Sequence, residues 1–253
     1  MGHRKRAGVV LAVAMAAAAA FGGCGDDDRS TATSSDEAAP GDLAAYCDAA
    51  FAWDTPPDPE NHEFDEEWFE SVLVPRFDAL DAEVPDELSA DVASVRAAFE
   101  GGDEAEGEAA AGRIHGFSVA NCGWTSQAVS AVEYAFEGVP DVVPAGIVSF
   151  EVANDGDEAH VLEVVRRNDG VTIPFAELLA LPEDELDQLV EGFEPEAFLD
   201  PGDEGFVVAD LGPGAYALVC DLPVGTPTLE EIEFESDAPS HAAEGMVHEF
   251  TVE

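Results

Sequence analysis

Basic residues are almost missing from this chain of 253 residues. Nine lysines and arginines stand against 56 aspartates and glutamates, which gives a formal net charge of -47. Lys5 is the only lysine in the chain. Nucleic acids and anionic lipid surfaces attract basic patches, so this composition argues against both as partners. Two interpretations of the charge stay open. It adapts the whole surface to high salt, which its spread over both halves favours, or it steers a basic partner protein.

A long apolar run is found only at the N-terminus, where residues 1–23 have the order of a signal peptide. Met1–Arg6 is basic, and Ala7–Phe21 is an apolar run too short to span a bilayer comfortably. Two glycines then precede Cys24, in an order that resembles a bacterial lipoprotein signal. The resemblance implies cleavage before Cys24 and a lipid anchor on that cysteine, at the extracytoplasmic face of the cell membrane. An ordinary secretory signal is the alternative.

The rest of the first half divides into a tether and a helical part. Residues 24–41 are rich in Asp, Ser, Thr, Ala and Gly, which predicts a flexible tether. Residues 42–124 carry apolar residues at helical spacing, interrupted near Pro75, which predicts a small helical bundle. His115 lies in its last predicted helix, and we interpret it as a structural or surface residue.

Residues 128–253 change to a period of two, which predicts strands. Tyr216, Leu218 and Cys220 fall on one face of such a strand. Turn signals between the strands are typical of a β-sandwich. Apolar residues at helical spacing between the sandwich strands predict a helical insertion, and they run from Phe175 to Phe193. The fold class expected is therefore α+β and multidomain.

Four residues of the second half form a set of metal donors: His160, Cys220, His241 and Met246. Two imidazoles, a thiolate and a thioether together suit a blue-copper electron-transfer site. Each donor has an ordinary alternative, since a lone cysteine is often a small buried hydrophobe and a methionine is often core.

The motifs around these donors resemble the cupredoxins, the small blue-copper domains of the plastocyanin and halocyanin type. Three motifs carry the resemblance: Asn154-Asp155-Gly156 before His160, Gly214-x-Tyr216 before Cys220, and His241 separated from Met246 by four residues. The resemblance covers residues 128–253. It implies a cupredoxin-like Greek-key β-sandwich that binds copper through His160, Cys220 and His241, with Met246 as the weak axial ligand.

Two positions depart from the family pattern. Residues 221–240 form a long loop between Cys220 and His241, where the family usually has only a few residues. Val161 follows the first histidine, where plastocyanins carry asparagine. His248 is a spare imidazole two residues after Met246, and it could replace His241 if the long loop misplaces the latter.

The resemblance predicts a membrane-tethered one-electron carrier that is not an enzyme and that meets a redox partner protein. The alternative is a cupredoxin-fold binding module without a redox role, for copper storage or delivery or for contact with another envelope protein. A multicopper oxidase or a copper nitrite reductase would need further histidine-rich motifs, which this sequence lacks. It also has no haem-attachment motif, no Walker loop and no Gly-x-Ser-x-Gly elbow.

These assignments also account for the four cysteines. If Cys24 is lipidated and Cys220 binds copper, Cys47 and Cys122 remain. An exported chain permits the two to pair, so we expect a Cys47–Cys122 disulfide.

Overall fold

The computed structural model describes residues 43–57, 66–232 and 236–253. The signal peptide and tether expected from the sequence, including Cys24, lie outside these residues. The helices of the first half are α1 (Ala44–Asp54), α2 (Glu66–Trp68), a π-helical segment (Phe69–Leu73), α3 (Val74–Glu83), a 3₁₀ turn (Asp86–Leu88), α4 (Ser89–Phe99) and α5 (Glu104–Asn121). None of the helices in the described residues is both long and apolar enough to cross a membrane.

The described residues of the second half form nine strands, two short α-helices and two 3₁₀ turns, Leu229–Glu231 and Ala242–Glu244. The strands and α-helices are β1 (Thr125–Val132), β2 (Ala135–Glu137), β3 (Val142–Val143), β4 (Gly146–Asn154), β5 (His160–Arg167), α6 (Phe175–Leu178), α7 (Glu183–Leu186), β6 (Val190–Leu199), β7 (Glu204–Leu211), β8 (Gly214–Val219) and β9 (Val247–Val252). The chain therefore combines helices with mixed sheets, as the α+β class predicts.

The helical part has its own core, and a disulfide closes it. Tyr46, Leu80 and Val92 are fully buried there. Cys47 of α1 is bonded to Cys122, which directly follows α5, so the predicted disulfide is confirmed. The bond spans a sequence separation of 75 residues. In the chain-entropy model, closing a loop of that size stabilises the fold by about 4 kcal/mol.

Pro75 does not interrupt the second helical stretch, contrary to the sequence-based expectation. It is the second residue of α3, which follows directly on a π-helical segment, so the preceding turn receives no N–H from it. The turn before it, Phe69–Leu73, widens into a π-helix instead of breaking. The helix can therefore continue through the proline.

Two sheets face each other across the main core of the second half. The first sheet has the order β2-β1-β4-β7 and the second the order β3-β9-β8-β5-β6. The pairs β1–β4 and β3–β9 are parallel, and the other pairs are antiparallel. Val148 and Phe150 of the first sheet meet Leu162, Leu218 and Phe250 of the second in this core.

The outer face of each sheet is also covered. Trp124 and Val208 join the core of the helical part, so the helices pack on the first sheet. Phe175 and Leu178 of the insertion pack against Ala217 of the second sheet. The result is four layers: helices, first sheet, second sheet and insertion.

The insertion is less helical than its apolar spacing predicts. Only α6 and α7 are helical, and Val190 and Phe193 belong to strand β6. The backbone of β6 pairs with β5, with Val190 opposite Arg167 and Phe193 opposite Val164. Strand pairing satisfies the backbone of a segment on the second sheet, and a β-branched residue such as Val190 fits it. Tertiary pairing therefore outweighs the local period.

Candidate metal centre

The topology brings the predicted donors to one end of the second sheet. His160 is the first residue of β5, and Cys220 directly follows β8. The two strands are antiparallel neighbours, so the start of one lies beside the end of the other. His241 and Met246 precede β9, which is the other neighbour of β8. Residues far apart in the sequence therefore meet at the same end of the second sheet.

His160, Cys220 and His241 form a closed triangle. Nδ1 of His160 lies 3.1 Å from Nδ1 of His241. Sγ of Cys220 lies 3.4 Å from Nδ1 of His241 and 4.0 Å from Nδ1 of His160. All three side chains have an exposed fraction of zero. Metal bonds to imidazole nitrogen and to thiolate are about 2.0 and 2.3 Å long, so one ion can contact all three atoms.

This triangle is a distinct feature of the part of the chain that the structure describes. Among residues 43–57, 66–232 and 236–253, it is the only group of three or more His, Cys, Asp or Glu side chains with ligand atoms close enough to share an ion. Its donors are two imidazoles and a sulfur, without a carboxylate. Such a set fits copper, and it does not suit magnesium or calcium, which prefer oxygen ligands.

Burial sets the protonation of two of the donors. It lowers the pKa of His160 to about 4, with the neighbouring His241 acting in the same direction. His160 is therefore neutral near pH 7 and can offer a lone pair. Burial raises the pKa of the Cys220 thiol to about 12, although the N–H of Val161 donates to Sγ at 3.3 Å and opposes the shift. A metal that binds Cys220 must therefore displace its proton.

The loop before His160 is shaped by Asn154 and Gly156. The side chain of Asn154 accepts the N–H of Gly156 at 3.0 Å and donates to the carbonyl of Glu158 at 2.9 Å. A Cβ atom on Gly156 would lie 2.8 Å from Nε2 of His160 and 2.5 Å from Oε1 of Glu133. The Asn-x-Gly motif therefore makes a tight turn and leaves room for the first histidine.

Two carboxylates lie behind the histidines, and the sequence analysis did not identify them. Oε2 of Glu158 lies 3.0 Å from Nε2 of His241. Oε1 of Glu133 lies 4.0 Å from Nε2 of His160. Carboxylates beside ligating histidines are common in metal sites. The position of Glu158 two residues before His160 was a usable signal, whereas nothing in the sequence connects Glu133 with the site.

Met246 and His248 occupy different positions relative to the triangle. The side chain of Met246 is fully buried. Its N–H donates to the carbonyl of His241 at 2.9 Å, and its carbonyl accepts the N–H of Cys220 at 3.3 Å. His248 lies two residues further along, on β9 opposite Leu218, and is not part of the triangle.

The described residues of the long loop 221–240 are bonded to the segments that carry the donors. Pro223 and Ser240 form an isolated antiparallel bridge at its base. Further along, the carbonyl of Thr226 accepts the N–H of Ala159 at 2.8 Å, which ties the loop to the segment before His160. The insertion between Cys220 and His241 therefore leaves both residues at the same centre.

Solved structures of copper proteins resemble the second half of this chain. Reduced auracyanin from Roseiflexus castenholzii is 22% identical over 51% of this chain and 97% of its own, with a TM-score of 0.33. Auracyanin A, a blue copper protein from Chloroflexus aurantiacus, is 17% identical over 51% of this chain and 99% of its own, with a TM-score of 0.30. Rusticyanin from Thiobacillus ferrooxidans is 17% identical over 51% of this chain and 77% of its own, with a TM-score of 0.30.

Sequence comparisons give no corresponding match: no protein-family model matches the chain, and no curated protein matches it significantly.

Proposed function

We propose that residues 125–253 form a cupredoxin-like copper domain that carries one electron. The buried triangle of His160, Cys220 and His241 carries this proposal. Cys220 would hold the ion through its thiolate, His160 and His241 through their imidazoles, and Met246 would offer a weaker thioether donor. This is the donor combination of blue-copper sites. The copper ion supplies a single redox electron, and the chain's own residues carry out no bond-making step.

The surroundings of the donors suit electron transfer. The centre is buried and held by the ends of strands β5 and β8 and by the segment that leads into β9. Donors held in this way would need to move little when the charge of a bound ion changes. Water is excluded from the three ligand atoms, because each side chain is fully buried. A rigid, dry site lowers the reorganisation that accompanies each transfer.

A visible spectrum tests the proposal. We expect the purified full chain, loaded with Cu(II), to show an intense thiolate-to-Cu(II) band that is lost reversibly on reduction. Cys220→Ser should lose the band, because serine offers no thiolate. The disulfide variant Cys47→Ala/Cys122→Ala is the matched control, since it also removes sulfur from the chain but should keep the band.

The same experiment separates the alternative function. A protein that binds Cu(I) but never shows the band with Cu(II) would be a copper storage or delivery module. A protein that binds neither ion would contradict both proposals and leave a cupredoxin-like module for contact with an envelope protein.

We further propose that the chain is a lipoprotein anchored through Cys24 to the extracytoplasmic face of the membrane. The order of basic, apolar and small residues before Cys24 supports this. Cys24→Ser should abolish lipid labelling and release the protein from the membrane fraction. Membrane retention and N-terminal processing that do not change in this variant would contradict the anchor.

A further inference from the structure

The carboxylate of Glu158 contacts the second histidine and the long loop, and Glu158 lies close in the chain to the first histidine. Oε2 of Glu158 lies 3.0 Å from Nε2 of His241 and accepts the N–H of Gly225 at 2.6 Å. Glu158 also stands two residues before His160 in the chain. It therefore joins the segment of the first histidine, the loop 221–240 and the ring of the second histidine.

This contact determines which nitrogen of His241 faces the centre. A carboxylate accepts hydrogen bonds and does not donate them, so Nε2 of His241 carries a hydrogen, and in the neutral ring the lone pair is on Nδ1. That Nδ1 is the atom 3.4 Å from Sγ of Cys220. The ring is also held by an edge contact with Tyr134, at 5.2 Å between ring centroids. His241 therefore presents its binding atom inward.

The backbone of Glu158 is itself held by neighbouring side chains and by the long loop. Its N–H donates to Oε1 of Glu133 at 3.0 Å, and its carbonyl accepts the side-chain amide of Asn154 at 2.9 Å. The next residue, Ala159, donates its N–H to the carbonyl of Thr226 at 2.8 Å. The backbone is thus fixed on both sides of the Glu158 side chain, and the carboxylate itself is held by His241 and Gly225.

We propose that Glu158 is a positioning residue for the metal centre. It selects the form of His241 that is protonated on Nε2, and it fastens the loop at Gly225 to the same carboxylate that contacts that ring. The inference rests on the proposed function, because this orientation matters for copper only where His241 is a ligand. A negative charge beside a ligating imidazole raises its basicity and favours Cu(II) over Cu(I). Glu158 therefore strengthens Cu(II) binding and lowers the reduction potential.

The variant Glu158→Gln tests the effect on the metal. Glutamine keeps the size and an acceptor oxygen but removes the charge. We expect the Cu(II) dissociation constant of the full chain, measured by competition with a chelator, to rise about 10- to 100-fold. The reduction potential, measured by voltammetry, should become more positive. Glu230→Gln is the matched control, because it makes the same change of charge at an exposed position in the same loop.

A measurement on the metal-free protein tests the orientation of the His241 ring independently. Nitrogen NMR of the metal-free wild-type protein should show His241 protonated on Nε2, and Glu158→Ala should shift the ring toward a mixture of both forms. Protonation of wild-type His241 on Nδ1 would overturn the inference. A Glu158→Gln protein with the affinity and potential of the Glu230→Gln control would overturn it as well. If copper fails to bind the wild-type chain, the proposed function is wrong, and the NMR result alone decides the role of Glu158.

Discussion

At the scale of single residues, the two histidines of the centre have different surroundings. Nε2 of His241 is hydrogen-bonded to Glu158. Nε2 of His160 is buried and has no hydrogen-bond partner among the described residues, with Glu133 4.0 Å away. An unsatisfied buried polar atom is unfavourable. The ring of His160 is therefore held mainly by packing and by the contact between the two Nδ1 atoms. The ring of His241 is held by its hydrogen bond to the carboxylate of Glu158.

At this scale we predict that His241, and not His248, is the second imidazole ligand. His241 belongs to the triangle, whereas His248 is carried along β9 and away from it. We expect His241→Ala to lose the thiolate-to-Cu(II) band and His248→Ala to keep it. Loss of the band in the His248 variant alone would reverse the assignment. Retention in both variants would contradict the trigonal site as a whole.

At the scale of elements, α1 and α5 are joined by a hydrogen bond as well as by the disulfide. The hydroxyl of Tyr46 lies 2.8 Å from Oγ of Ser118, and Tyr46 has an exposed fraction of 1%. Burial raises the pKa of Tyr46 to about 12, which the bond to Ser118 opposes and the charge of Asp54 reinforces. The tyrosine is therefore neutral in the folded protein well into alkaline solution.

Replacement of Tyr46 by phenylalanine should show how much the hydrogen bond to Ser118 stabilises the fold and how that contribution depends on pH. Near neutral pH we expect the free energy of unfolding to fall by about 1 kcal/mol, the value of one hydrogen bond. In the unfolded chain a tyrosine ionises near pH 10, whereas in the folded protein it ionises near pH 12. The wild type therefore keeps its full stability below pH 10 and loses part of it as the pH rises from 10 to 12.

Urea unfolding of both proteins at a series of pH values measures the effect. The difference in stability between wild type and Tyr46→Phe should narrow above pH 10, because the variant has no hydroxyl to ionise at this site. A constant difference from pH 8 to 12 would contradict the role given to Tyr46.

The elements also show how far the sequence could predict this molecule. The period of two placed Tyr216, Leu218 and Cys220 on one face, and all three lie in the core between the sheets. The helical spacing through Val190 and Phe193 was misleading, because pairing with β5 lies outside any local pattern. His115 was interpreted as a structural or surface residue. It is buried, and its contacts with Asp54 and Ser149, which join a helix to the first sheet, depend on tertiary packing. Glu133 was missed for the same reason.

At the scale of the whole molecule, the negative charge is compensated at few places. Of the nine basic residues, five arginines lie in the described part of the chain. Arg96 contacts Asp78 and Asp81, and Arg113 contacts Asp91 and Glu106. Each of these two arginines therefore contacts two carboxylates. Over the whole sequence the 56 acidic residues still far outnumber the nine basic ones. Exposed pairs of this kind contribute little to stability, so repulsion among the remaining carboxylates opposes the compact state.

This repulsion leads to the last prediction, that the folded state is more stable in molar salt than in dilute buffer. The screening length is about 10 Å at 0.1 M salt and about 3 Å at 1 M, so salt weakens the repulsion between neighbouring carboxylates. We expect the melting temperature to rise between these concentrations by the same amount in sodium chloride and potassium chloride, because screening depends on ionic strength. Sucrose at matched osmolarity is the control, since it stabilises folded proteins through exclusion from the surface without screening charge. A melting temperature that is independent of salt, or that rises as much in sucrose, would contradict the view that charge repulsion limits the stability of this protein.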